Sequence, residues 1–255
     1  MLRGIIGMQT RHVPTINARY WAGIALASVF GTNMGDLYAH DSGLGLLGGL
    51  PVLVLLFLVI YAIERSDKRT HDAYYWLCII IMRTGATNIA DYMAGRRGMG
   101  IDRLTLSIGF GVLLALLAWW LGRVNRSFAD ASKTVPTTDP GYWVTMLTAG
   151  VFGTVLGDWC QHQFGENMAT IGLSILLVVV LLAGRKFAFG ALAGYWLTVG
   201  VARTTGTAIG DWLAESPIPN LGLPLATVIT GSALAAVLIL WPGGRPQAVL
   251  AETPA

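Results

Sequence analysis

The chain has 255 residues, 54% of them apolar and only 12% charged, with a mean hydropathy of +0.60; a soluble domain carries about 25% charged residues. This balance points to a bilayer and leaves no room for a separate soluble domain. The net charge of +3 and pI near 9.0 do not indicate nucleic acid, because the basic residues sit in short loops between apolar runs, where they act as topology signals.

Residues 1–19 mix Arg3, Arg11 and Arg19 with short apolar pieces and lack a signal-peptide core with a cleavage site, so they are expected to form a cytoplasmic lead-in. Eight stretches of about 20 mostly apolar residues follow, each long enough for a membrane span. They cover 20–38, 44–63, 74–94, 103–122, 142–161, 168–184, 194–214 and 221–241. Pro51 and Pro224 are expected inside their helices, which membrane packing tolerates when the freed carbonyl finds a partner. The tail at 242–255 reads as disordered polar chain. Cys78 and Cys160 fall near opposite ends of their helices and so cannot pair within the chain, and their spacing forms no metal motif.

The first stretch of each pair carries a shared motif, small-Thr-x-x-small-Asp. The copies are Gly31-Thr32-Asn33-Met34-Gly35-Asp36, Ala86-Thr87-Asn88-Ile89-Ala90-Asp91, Gly153-Thr154-Val155-Leu156-Gly157-Asp158 and Gly206-Thr207-Ala208-Ile209-Gly210-Asp211. A Tyr-Trp pair precedes each (Tyr20-Trp21, Tyr75-Trp76, Tyr142-Trp143, Tyr195-Trp196), and Trp to Asp is 15 residues every time. Such constancy marks a tandem repeat, with units 20–63, 74–122, 142–184 and 194–241.

Lys and Arg divide 12 to 3 between alternate loops. One side holds Arg3, Arg11, Arg19, Arg65, Lys68, Arg69, Arg123, Arg126, Lys133, Arg185, Lys186 and Arg245; the other holds Arg96, Arg97 and Arg103. The basic side is cytoplasmic. The expected fold is an all-α integral membrane protein of eight transmembrane helices, built as four parallel two-helix repeats pseudo-symmetric about the membrane normal. Both termini are expected in the cytoplasm. The Tyr-Trp pairs are expected in the inner headgroup belt. The aspartates, roughly 22 Å further along each helix, are expected near the outer boundary.

The small residues four apart permit close backbone approach between membrane helices. Thr and Asp, also four apart, share a helix face. One step back on that face stand Ser28, Arg83, Gly150 and Arg203; one step beyond stand His40, Gly95, His162 and Glu215. The expected ion-binding residues are therefore Asp36, Asp91, Asp158 and Asp211, with Thr32, Thr87, Thr154 and Thr207, and the intramembrane Arg83 and Arg203, which need a polar interior or a partner. Asp36 with His40 and Asp158 with His162 form a candidate metal set, since carboxylate plus imidazole suits a transition metal.

Segments such as Phe152-Gly153-Thr154-Val155-Leu156-Gly157-Asp158-Trp159 and Arg203-Thr204-Thr205-Gly206-Thr207-Ala208-Ile209-Gly210-Asp211-Trp212 resemble the bacterial membrane-anchored proteins defined by a repeat of unknown function. The resemblance runs from about Tyr20 to Trp241. It implies a bacterial inner-membrane location and eight spans, and supplies no activity. The second copy departs from it, with Ala86 and Ala90 for the glycines and Tyr92 for the Trp.

The chain carries no G-x-S-x-G, H-E-x-x-H, Walker A or dinucleotide motif, so no enzyme is expected. The leading expectation is a secondary transporter or exporter of a divalent metal cation through the repeated aspartates. Its rivals are an anion transporter using Arg83 and Arg203, and a membrane scaffold that transports nothing. A divalent metal would be cargo, and no cofactor is expected. The expected partners are the lipid bilayer and a small ion, not nucleic acid; a homo-oligomer is left open.

Overall fold

The computed structural model of the protein describes residues 13–67, 71–96, 98–124, 137–186 and 191–241. The lead-in up to residue 12, the loop residues Lys68, Arg69, Arg97, Arg126 and Lys133, and the tail from 242 lie outside them.

Nine helices appear among the described residues: α1 Ala18–Asp41, α2 Gly45–Gly48, α3 Leu50–Ser66, α4 Asp72–Ala94, α5 Arg103–Val124, α6 Pro140–Phe164, α7 Glu166–Lys186, α8 Ala191–Glu215 and α9 Leu223–Leu240. Asn17 and Asp139 start α1 and α6 by accepting the backbone N–H of Tyr20 and Tyr142, which satisfies one of the free donors at a helix start. The expected span at 44–63 is interrupted: α2 ends at Gly48 and α3 begins at Leu50. Pro51 and Pro224 stand in the first turns of α3 and α9 rather than inside them, where a missing N–H leaves no bond unmade.

The four motif helices α1, α4, α6 and α8 form a closed inner ring, in which α1 meets α4, α4 meets α6, α6 meets α8 and α8 returns to α1. Outside them, the segments Gly45–Ser66, Arg103–Arg123, Glu166–Gly184 and Leu223–Leu240 are long and apolar enough to cross a membrane. These turn side chains such as Val54, Leu116, Val178 and Val228 away from the protein. Each outer helix packs chiefly on the motif helix of the following repeat: α3 on α4, α5 on α6, α7 on α8. The last, α9, packs on α1, and Arg19 donates to the Leu238 carbonyl at 2.8 Å across that seam.

The small motif residues make the inner ring tight. A Cβ at Gly35 would stand 2.7 Å from Thr87 Cβ, one at Gly157 would stand 2.8 Å from Thr207 Cβ, and one at Gly210 would stand 2.9 Å from Asn33 Oδ1. The alanine copy is accommodated by its neighbour. Where Gly31, Gly153 and Gly206 face Arg83, Arg203 and Ser28, Ala86 faces Gly150. A Cβ at Gly150 would lie 2.6 Å from Ala86 Cβ, so the methyl group has changed sides of the interface.

Gly172 on α7 has no heavy atom within 4 Å of its Cβ direction. Gly157→Leu is therefore expected to destabilise the fold by at least the roughly 1–3 kcal/mol typical of overpacking. Gly172→Leu should melt within a few degrees of the unsubstituted protein. Thermal unfolding of the two variants in detergent checks the difference; equal melting temperatures would remove the close-packed centre.

Candidate functional site

The inner ring is layered, and the layers recur at every fourth residue along each motif helix. The first layer is Tyr20, Tyr75, Tyr142 and Tyr195, all buried. Their hydroxyls close a cyclic hydrogen-bonded ring, at 2.8 Å for Tyr20–Tyr75, Tyr75–Tyr142 and Tyr142–Tyr195 and 2.7 Å for Tyr195–Tyr20. Each tyrosine ring also lies against the next repeat's tryptophan: Tyr20 on Trp76, Tyr75 on Trp143, Tyr142 on Trp196 and Tyr195 on Trp21, with centroids 5.6–5.8 Å apart. The pairs expected in the headgroup belt are thus core residues, and Trp21 alone of the four tryptophans is partly exposed. A cyclic ring gives each phenol one donor and one acceptor partner, which is what a buried hydroxyl needs.

Above it lies an apolar layer of Ile24, Ile79, Met146 and Val199, and then the layer of Ser28, Arg83, Gly150 and Arg203. Both arginines are buried. Arg83 donates to all four motif threonines: Nη1 to Thr154 Oγ1 at 2.6 Å and to Thr87 Oγ1 at 3.2 Å, and Nη2 to Thr32 Oγ1 and Thr207 Oγ1, each at 2.6 Å. Nη1 also reaches the Gly150 carbonyl at 3.3 Å. Each threonine in turn donates to the carbonyl four residues back, at 2.9–3.4 Å. Threonine is required because its hydroxyl accepts from the guanidinium while donating to the helix backbone.

The aspartates form the next layer, partly buried. Asp36 and Asp91 face each other, and Asp211 lies in the field of Asp158, Asp36, Glu215 and Asp91. Arg83 lies below them, with Asp211, Asp36 and Asp158 as its nearest counter-charges. One residue after the first two threonines, Asn33 and Asn88 are fully buried, and neither the oxygen nor the nitrogen of either amide has a protein partner.

The sequence reading places the threonines, aspartates and Arg83 together, and the structure does the same. His40 and His162 are exposed. Among the described residues no three His, Cys, Asp or Glu side chains stand as a metal-holding group, so neither the set Asp36, His40, Asp158 and His162 nor the four aspartates is assembled as one. Sequence reasoning missed Arg103, which pairs with Asp158 at 3.7 Å from the start of α5. Asp102 beside it caps that helix, accepting from the Thr105 N–H at 2.9 Å, and these bonds hold its carboxyl below the usual carboxylate range. With Arg103 counted, the four aspartates outnumber the site arginines by one charge rather than two. The tyrosine ring was legible in principle, since Tyr20 stands on the same four-residue spacing as Ser28, Thr32 and Asp36.

The family model described as Repeat of Unknown Function (DUF347) matches residues 19–70 and 194–242, the first and last repeats. No curated protein and no solved structure matches the chain.

Thr32→Val keeps the shape and removes the hydroxyl that accepts from Arg83. It is expected to cost about 1.5–3 kcal/mol, the range for a hydrogen bond to a charged group. Thr148→Val removes only a bond to the Val144 carbonyl and should cost about 1 kcal/mol or less. Paired thermal melts read the difference. In the tyrosine layer, Tyr75→Phe breaks two ring bonds and leaves two phenols short of a partner, so a loss of about 1–3 kcal/mol is expected by the same measurement.

Proposed function

We propose that this chain, whose first and last repeats carry the family's repeat of unknown function, is a secondary transporter or exporter of a divalent metal cation. On this reading it crosses the bacterial inner membrane eight times with both termini cytoplasmic, as four two-helix units pseudo-symmetric about the membrane normal. The observation that carries the reading is the convergence of Asp36, Asp91, Asp158 and Asp211 from four helices into one partly buried acidic layer.

The motif helices are 23 to 25 residues long, about 35–38 Å at the rise of an α-helix and enough for a hydrocarbon core of about 30 Å. Their polar stripes face one another and the apolar helices surround them, so length and enclosure support spans that composition alone does not mark. Four carboxylates in a partly desolvated site attract a cation more strongly than in water. The buried carboxamides of Asn33 and Asn88 could add neutral oxygen ligands just below. Binding would require the carboxylates to rotate towards one ion, and a divalent cargo would compete with Arg103 for Asp158. Below that layer, Arg83 with its threonines blocks the axis, so passage to the cytoplasmic side would need this plug to shift.

Proteoliposomes test transport. Those holding the unsubstituted protein should take up Mn(II) or Zn(II) at least about tenfold faster than those holding Asp36→Asn with Asp211→Asn, the loss of about 1.4 kcal/mol or more of ion stabilisation. Movement of neither metal by folded protein would leave a scaffold as the better reading. Orientation has its own check, in a background without Cys78 and Cys160. An impermeant thiol reagent should label Ser42→Cys from outside and Ser66→Cys only after the membrane is opened.

A further inference from the structure

Arg83 and Arg203 occupy equivalent places in the second and fourth repeats, and their surroundings differ. Arg83 turns towards the acidic end, where four threonines accept hydrogen bonds from it and Asp211, Asp36 and Asp158 lie in its field. Arg203 turns towards the tyrosine end. Its contacts there are Ser28 Oγ at 3.3 Å from Nη1 and Met146 Sδ at 3.3 Å from Nη2. The bond to Ser28 is long, both contacts are to neutral atoms, and a thioether is a weak acceptor. Nε has no partner. The residue is 1% exposed, and, like Arg83, it belongs to neither the Arg19–Asp72 nor the Arg103–Asp158 pair.

A guanidinium keeps its charge under any condition a protein meets. Burying it without an anion costs several kcal/mol, and here a second guanidinium in the same layer adds repulsion. The aspartates lie beyond the Arg83 plug. On the other side, the groups nearest to Arg203 are apolar or phenolic: Ile24, Ile79, Met146 and Val199, and then the tyrosine ring. The tyrosine hydroxyls already spend their single hydrogens within their own ring, so the donors left for an anion are those of the Arg203 guanidinium. Surroundings of hydrocarbon and one guanidinium suit a small, weakly hydrated monovalent anion; a phosphate or sulfate would demand more donors than the layer holds.

We propose that Arg203 forms an anion site inside the bundle, between the arginine layer and the tyrosine ring, and that it takes a small monovalent anion of the halide class. The site is separate from the acidic layer and does not depend on cation transport. It also divides the two arginines: Arg83, with its terminal nitrogens committed to threonines, is a structural plug, and Arg203 is the anion ligand.

The test uses the purified full-length protein without any cation cargo, so it stands or falls apart from the transport reading. Melting is compared in sodium chloride and in sodium gluconate at equal ionic strength, gluconate being too large for the layer. Chloride should raise the melting temperature of the unsubstituted protein, and Arg203→Gln should abolish that difference. Arg203→Gln should also weaken chloride affinity roughly tenfold or more, the equivalent of one charged hydrogen bond. No chloride effect in the unsubstituted protein, or the same effect in Arg203→Gln, would overturn the site. Should Arg203→Gln fail to fold, crystals of the unsubstituted protein soaked in sodium bromide decide. A bromine anomalous peak within hydrogen-bonding distance of the Arg203 guanidinium supports the site, and bromide peaks elsewhere with none there refute it.

Discussion

Arg83 is a full positive charge in the middle of an apolar bundle, and the inner ring is built to hold it. A buried charge needs hydrogen-bond acceptors, and Arg83 finds them for its two terminal nitrogens, though not for Nε. No single helix can supply them, so Thr32, Thr87, Thr154 and Thr207 come from all four. The threonines can reach one guanidinium only if the helices approach closely, and this is the purpose of the small residues at the motif's two ends. Gly31 lies against the Arg83 stem itself. Charge, hydroxyl and small residue are therefore one constraint, expressed at the motif's Thr and small positions and at Arg83 three residues before the second copy.

The same closure explains the tyrosines and the outer helices. A cyclic arrangement of four hydroxyls has no free end, so the ring is satisfied only when all four repeats are present. Each tryptophan shields the preceding repeat's tyrosine, and each outer helix covers the following repeat's motif helix. A repeat cut from the chain would leave its outer helix without its main partner. The fourfold plan is thus cooperative in the way of a closed ring, unlike an open solenoid in which each unit touches only its sequence neighbours.

Departures from fourfold repetition fall where the chemistry is. At the arginine layer the order Ser28, Arg83, Gly150, Arg203 alternates small and large, since four long side chains would not fit around one axis. Asn33 and Asn88 replace the Val155 and Ala208 of the later copies and put unpartnered amides beneath the aspartates on one side only. Arg103 neutralises one aspartate of four. These differences give a repeated scaffold an interior whose four sides are not alike.

The sequence by itself determined the helical membrane class, the repeat, and the stripe that carries Ser28, Thr32 and Asp36 with their equivalents. Each follows from local physics: hydropathy sets the apolar stretches, and spacing of four sets a common helix face. The histidines at the end of that stripe show the limit of such reading. They keep the spacing, yet they lie where the helices end, and His40 and His162 face outward. Only the tertiary structure decided which partner each stripe residue meets. Both arginines have the same local sequence setting, Arg-x-x-x-Thr-x-x-x-Asp. One turns to the threonines and the other to the tyrosines because side-chain direction depends on what three neighbouring helices offer. Likewise, nothing in residues 221–241 indicates that α9 closes on α1, or that Arg103 from one repeat reaches Asp158 of the next. Those contacts join residues far apart in the chain, and they exist only once the ring has closed.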